Sequence, residues 1–151
     1  MTIIVRWATP DDQRLPVVSE DVPDSVVVAR IAEKRVAVAD RDGRPVGALQ
    51  LEFLWGTLPY IALIRVEEKD QRQGVGRALL DFVAAALRDA GHERLYSSSQ
   101  VNEPEPQAWH RHMRFTECGI IAGINTGGIG ELFFVKGLVG TATPGPLDRA
   151  T

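Results

Sequence analysis

Apolar positions in this chain recur in two periods, and the change between them at residues 66–91 organises the rest. The run 60–66, interrupted only by Arg65, suits a strand covered on both faces. A polar loop follows, then Gln71-Arg72-Gln73-Gly74-Val75-Gly76-Arg77. After it Val75, Leu79, Phe82, Val83, Ala86 and Ala90 fall on one side while Arg77, Asp81 and Arg88 fall elsewhere. That spacing predicts a helix closed by Gly91 as its C-cap.

Upstream, the β-branched run 2–7 predicts a first strand and the turn-forming 8–12 ends it, while 11–20 is poorly periodic. Pro23 opens a helical stretch with Val27, Val28, Ile31 and Ala32 on one face. Residues 35–40 and 45–55 read as strands of a hairpin turned by Asp42-Gly43, and 56–59 as a turn before the next strand. Downstream, 94–100 reads as a strand with an unusually polar Ser97-Ser98-Ser99. Pro104 and Pro106 are expected to delay the next helix to near Gln107. Strands 116–124 and 131–138 flank a glycine-rich loop read as a hairpin. No linker divides the chain, so residues 1–139 are expected to form a single domain and 140–151 a mobile tail.

The glycine loop carries the chemistry. Glycine at 74 and 76 leaves no side chain between backbone N–H groups and an anion, and a helix start adds unsatisfied donors and partial positive charge. With Arg72 and Arg77 beside it, the spot suits a diphosphate. It is not a dinucleotide fingerprint, because Leu79 stands where the third glycine belongs and the strand-to-helix loop is long. Nor is it a Walker loop, because Arg77-Ala78 follows Gly76.

The pattern Gln/Arg-x-x-Gly-x-Gly/Ala after an apolar strand resembles the GNAT superfamily of N-acetyltransferases. Val66 lies eight residues before Gly74, Arg77-Ala78-Leu79-Leu80 is similar to the family's helix start, and Ala108 to Phe115 is similar to its second helix ending in an aromatic. The resemblance implies a mixed α/β fold, with a mostly antiparallel, splayed central sheet flanked by helices and the first two helical segments beside the acceptor. It also implies acetyl-CoA as cosubstrate. The pantetheine arm would then lie on the backbone of Ile64, Arg65 and Val66, and the pyrophosphate on Gln71, Arg72, Gln73, Gly74, Val75, Gly76 and Arg77.

Composition narrows the partners. A net charge of -3 without a basic stripe argues against nucleic acid, no run approaches a membrane span, and the start lacks the flank of a signal peptide. One cysteine suits a reducing cytoplasm and excludes an internal disulfide. His110 and His112 project to different sides of a helix, so no metal is expected.

For catalysis the resemblance implies a glutamate on the strand before the loop, and this chain has none there. Glu52 is the nearest substitute base; Glu117 and Glu131 are weaker candidates. Counting back five residues from Phe115 puts His110 where the family often has a tyrosine that protonates the departing sulfur. Arg114 stands where the family usually has glycine, and Asn102 is one residue out of register with its asparagine. Cys118 lacks a sequence-visible base, so it is read as a small buried hydrophobe. The expected function is acetyl transfer from acetyl-CoA to a primary amine of a small molecule, with a homodimer left open. Two alternatives stand beside it: a non-catalytic acyl-CoA-binding module with this fold, and a nucleotide-binding regulator.

Overall fold

The computed structural model describes residues 2–138, so the expected tail at 140–151 lies outside the described residues. Its strands form one sheet in the order β1-β2-β3-β4-β5-β7-β6. These are β1 (Ile3–Trp7), β2 (Val36–Arg41), β3 (Arg44–Leu54), β4 (Leu58–Val66), β5 (Arg94–Gln100), β6 (Thr116–Ile121) and β7 (Glu131–Gly137). The β1–β2, β2–β3, β5–β7 and β6–β7 pairs are antiparallel, and β4 meets β5 in a parallel bridge at Tyr60 and Tyr96. The helices are α1 (Pro16–Ser19), α2 (Asp24–Ala32), α3 (Val75–Asp89) and α4 (Pro104–His112). The mixed, mostly antiparallel architecture expected from the sequence is the one observed.

Contacts group the chain into two compact units, one running to Phe53 and adding Ile61–Leu87, the other Leu54–Tyr60 with Arg88 onward. In the first, α1 and α2 cover one face of β2 and β3 through Val17, Val18, Val27, Ile31, Val36, Val38 and Ala48. Full burial of each of these valine and isoleucine side chains stabilises by roughly 1.5–3 kcal/mol. The helix α3 buries Val75, Leu79, Leu80, Val83, Ala84 and Leu87. The stripe is therefore turned from the expected one: Ala86 and Phe82 are half-buried and Ala90 is exposed, while Leu80 and Leu87 go inside. Phe82 instead meets Trp7 edge-on at 5.0 Å. The second unit buries Leu95, Met113, Phe115, Leu132, Phe134 and Val135.

The turn chemistry follows the sequence where φ decides it. Asp42 and Gly43 both adopt left-handed φ (52° and 81°), as a two-residue hairpin turn requires. Two expectations are corrected. Helix α4 begins at Pro104, not near Gln107, because first-turn N–H groups have no intrahelical acceptor and proline loses nothing there. Strand β6 stops at Ile121, not 124, after Cys118 bulges out of the ladder between Glu117 and Gly119.

Candidate functional site

In the first unit the glycine loop is pinned from below. Where β4 ends, Glu67 N–H bonds Val46 O at 2.8 Å, and a single 3-10 turn over Glu68–Asp70 follows. Asp70, 2% exposed, accepts hydrogen bonds from Arg41 Nη1 at 3.0 Å and Arg44 Nη2 at 3.4 Å. Arg44 also reaches Glu67 at 3.1 Å. Gln71 Nε2 donates to Val66 O at 3.1 Å and Gln73 Nε2 to Lys69 O at 3.2 Å, so both glutamines brace the loop. Arg72 (φ 61°) and Gly74 (φ 88°) take left-handed backbone, and the first helical bond of α3 runs from Ala78 N to Gly74 O at 3.0 Å.

Open space surrounds the Cβ position of Gly74, so its left-handed φ, and not crowding, makes glycine necessary there. Gly47 on β3 is the opposite case. A Cβ there would meet Val75 Cγ1 at 3.0 Å and Arg65 O at 3.1 Å, so its absence seats the first turn of α3 on the sheet. The loop thus presents Val75, Gly76 and Arg77 as the first turn of a 15-residue helix, whose N-terminus carries about half a positive charge. The side chain of Arg65 leaves this spot. It bonds Glu20 O at 2.9 Å and Asp21 at 3.4 Å.

Glu52 lies in the same unit within an arginine cluster. Its Oε2 accepts from Arg30 at 3.3 Å and its Oε1 from Arg35 Nη1 at 2.9 Å. Arg30 also donates to Gln50 Oε1, and buried Gln50 donates to Val18 O. The group borders an open cleft of about 250 Å³ with Ser25, Ala29, Arg30 and Arg35. Both Glu52 oxygens already serve guanidinium groups, which is the arrangement of an anchor.

His110 lies in the second unit, 3% exposed, its ring stacked on Phe134 at 4.4 Å. Nδ1 lies 2.7 Å from Pro106 O, which can only accept, so Nδ1 bears the ring proton and Nε2 accepts from Ser97 Oγ at 2.7 Å. Burial drives the imidazole down to about 4, outweighing the Pro106 carbonyl and the distant Glu131 charge that pull it up. At neutral pH the ring is uncharged and its one proton is committed to Pro106. The residue expected as the imidazolium acid thus sits as a packed ring whose Nδ1 proton is given to Pro106 O.

The serine run divides by strand alternation. Ser97 and Ser99 are buried on the His110 side, whereas Ser98 bonds Tyr60 Oη at 2.7 Å and Glu131 Oε2 at 2.6 Å. Sequence reasoning missed Asp70, Gly47 and Tyr60. The period-2 position of Ser98 was the one available signal for the last. Burial pushes the Cys118 thiol up, away from thiolate chemistry. Among the described residues no cluster of His, Cys, Asp and Glu suits a metal ion, and no helix is long and apolar enough to cross a membrane.

The strand, the pinned glycine loop and the start of α3 all lie in the stretch that a known family covers. The family model of the acetyltransferase (GNAT) family matches residues 4–115, and the chain belongs to that family. Ard1 from Thermoplasma volcanium superposes with a TM-score of 0.80 at 16% identity, over 92% of this chain and 99% of that one. A ribosomal-protein-alanine N-acetyltransferase from Brucella melitensis gives 0.71 at 23% identity over 89% and 99%. The yncA protein of Salmonella typhimurium, solved with its cofactor acetyl-CoA, gives 0.75 at 15% identity over 99% and 100%. At these identities the likeness concerns the fold. No curated protein sequence matches the chain.

Proposed function

We propose that residues 1–139 act as one GNAT-like domain that moves an acetyl group from acetyl-CoA to a primary amine of a small molecule. The pinned loop at the start of α3 carries the reading. The CoA pyrophosphate would lie on the first-turn N–H groups at Val75, Gly76 and Arg77, reached past Gln71, Arg72, Gln73 and Gly74. The backbone of Ile64, Arg65 and Val66 would take the pantetheine arm. The residues fit such a group, since nothing stands within 4 Å of the Cβ position at Gly74. When bound, acetyl-CoA supplies an acyl carbon activated as a thioester.

The cleft of about 250 Å³ beside Arg30, Arg35 and Glu52 supports a small acceptor with both charge signs. Glu52 enters the proposal there, as an acceptor-side carboxylate that acts as base only when it releases an arginine. His110 enters as the residue that positions Ser97 and β7. The lone cysteine suits a cytoplasmic setting, and exposed Ile120 and Ile121 on edge strand β6 suit a homodimer.

A second reading, an acyl-CoA-binding module without catalysis, is favoured by the engagement of both expected catalytic groups. Isothermal titration with acetyl-CoA, run beside thiol release across small amines and a short peptide, separates the two. Binding with thiol release supports the transferase, binding alone supports the module, and affinity for ATP or NAD without affinity for CoA removes both.

A further inference from the structure

Exposed apolar side chains gather at one place in the second unit. Among the described residues seven large ones are exposed, and four of them, Val101, Ile120, Ile121 and Ile124, lie just after β5, on β6 and in the loop that follows β6. The other three, Ile4, Val28 and Trp55, stand on separate elements, as scattered surface apolar groups do. Val101 and Ile120 abut. Val101 N–H bonds Gly130 O at 3.0 Å, and a Cβ at Gly130 would lie 3.6 Å from Val101 Cγ1 and 3.3 Å from Ile120 Cγ2, so the bare glycine lets both side chains lie over it.

The patch lies on an open edge. Strand β6 pairs with β7 from Thr116 opposite Val135 to Ile121 opposite Glu131, and among the described residues no strand lies on its other side. The outer N–H and C=O groups of an edge strand are a template for a further strand, and such edges are ordinarily blunted by lysine, other charges or proline. Residues 118–130 contain no charged residue and no proline. Glu117, the last charge before them, is paired with Arg111. Strand alternation sends Ile120 and Ile121 to opposite faces, so an occupant must bring a backbone edge and apolar side chains on both faces at once.

We propose that the occupant is β6 of a second copy of this chain, paired antiparallel about a two-fold axis normal to the sheet at residues 119–121. The run Gly119-Ile120-Ile121-Ala122 is itself an exposed strand edge with apolar side chains on both faces. Such an axis keeps each face on its own side, so Ile120 of one copy comes beside Ile120 of the other on one face, and Ile121 beside Ile121 on the opposite face. Glu117 then falls opposite 121–125 of the other copy and not opposite its own counterpart, so no like charges meet in the ladder. The segment 140–151 suits the edge poorly, since Leu147 is its one large apolar side chain and Pro144 and Pro146 lack the N–H a ladder needs.

Specific interfaces clear about 1,000 Å² in total, and one strand edge with four aliphatic side chains on each copy reaches roughly that lower bound. The dimer is therefore expected to be reversible, dissociating in roughly the micromolar range. This pairing gives the homodimer suggested above its surface. It rests on no part of the acetyl-CoA reading, so either stands if the other fails.

The test uses the full chain without ligand. Sedimentation from about 1 to about 300 µM should show monomer giving way to dimer. Ile120→Lys and Ile121→Lys should each raise the dissociation constant at least about 10-fold and melt near the parent's temperature, because both side chains are exposed in the monomer. Ile4→Lys, as exposed as Ile120 but on edge strand β1, should leave the dimer unchanged. In the unsubstituted chain, methyl-labelled isoleucine NMR should show Ile120, Ile121 and Ile124 shifting on dilution while Ile4 stays still. Amide exchange over 117–121 should slow as concentration rises. A parent that is monomeric throughout, a dimer of parental strength in Ile120→Lys and Ile121→Lys, a dimer lost as readily in Ile4→Lys, or dilution shifts without slower exchange in β6 overturns the proposal.

Discussion

The two units treat interior charge in opposite ways. In the first, carboxylates are tied to arginines: Asp12 and Asp40 to Arg6, Asp70 to Arg41 and Arg44, Glu52 to Arg30 and Arg35. In the second, Arg111 pairs with Glu117 at the surface and Lys136 donates to Met113 O, while the groups around Tyr60 and His110 are hydroxyls, a neutral imidazole and one carboxylate with neutral donors. Guanidinium pairs fix geometry, because breaking one leaves a charge poorly solvated. Hydroxyl chains fix little, but they pass protons by small movements of hydrogen. The first unit thus holds its glycine loop still through ion pairs, and the second joins its polar groups through hydroxyls.

The largest expected effect falls on the fixed loop. Gly76→Asp puts bulk and negative charge at the second residue of α3, and acetyl-CoA affinity should fall at least about 100-fold with the fold retained. Calorimetry showing parental affinity in a folded variant would remove the phosphate assignment.

The second unit is sharpened by pH. The folded state holds His110 at about 4 while an unfolded histidine titrates near 6.5, so acid drives protons onto the unfolded chain. Stability present above about pH 6.5 should be lost as pH falls toward 4, by about 2.5 kcal/mol between pH 7 and 4.5. His110→Gln should lack this component in urea unfolding. If the two slopes coincide, the imidazole sits in a site that tolerates charge, and its role as acid is restored.

Asp70→Asn leaves Arg41 and Arg44 without their shared carboxylate beneath the loop. It should cost about 2 kcal/mol of stability, discounted for the half-exposed Arg44. Acetyl-CoA binding should weaken with it, and parental Tm and affinity together would show that the loop holds itself. The smallest effect is expected at Glu52, whose side chain is 41% exposed. Glu52→Gln should change stability by less than about 1 kcal/mol and turnover by less than about threefold. A loss of turnover concentrated at low pH with acetyl-CoA affinity intact would instead make Glu52 the base.

Much of the fold was readable because its signals are local. The left-handed turn at Asp42-Gly43, the Gly91 cap and the glycine start of α3 each follow from what one or two residues permit. The stripe on α3 was read less well, since period alone does not say how wide the facing surface is, and Leu80 and Leu87 are buried as well. The proline rule misplaced the start of α4 because proline ends a helix interior and opens a first turn equally well. For the site, the loop residues 71–77 were legible as consecutive sequence. The side-chain hydrogen-bond partners of Glu52 and His110 were not, because they come from 13 to 22 positions away.

The sequence by itself determined that this chain makes a strand, a glycine loop and a helix in succession, since backbone freedom and apolar period are properties of a short segment. Only the tertiary structure decided what the ionisable side chains do. Burial against Phe134 pushed the His110 imidazole down while the Pro106 carbonyl fixed which nitrogen bears its proton, two arginines turned Glu52 into an anchor, and three strands brought Tyr60, Ser98 and Glu131 into one line. Protonation depends on neighbours and solvent access, and neither is encoded at the residue that titrates.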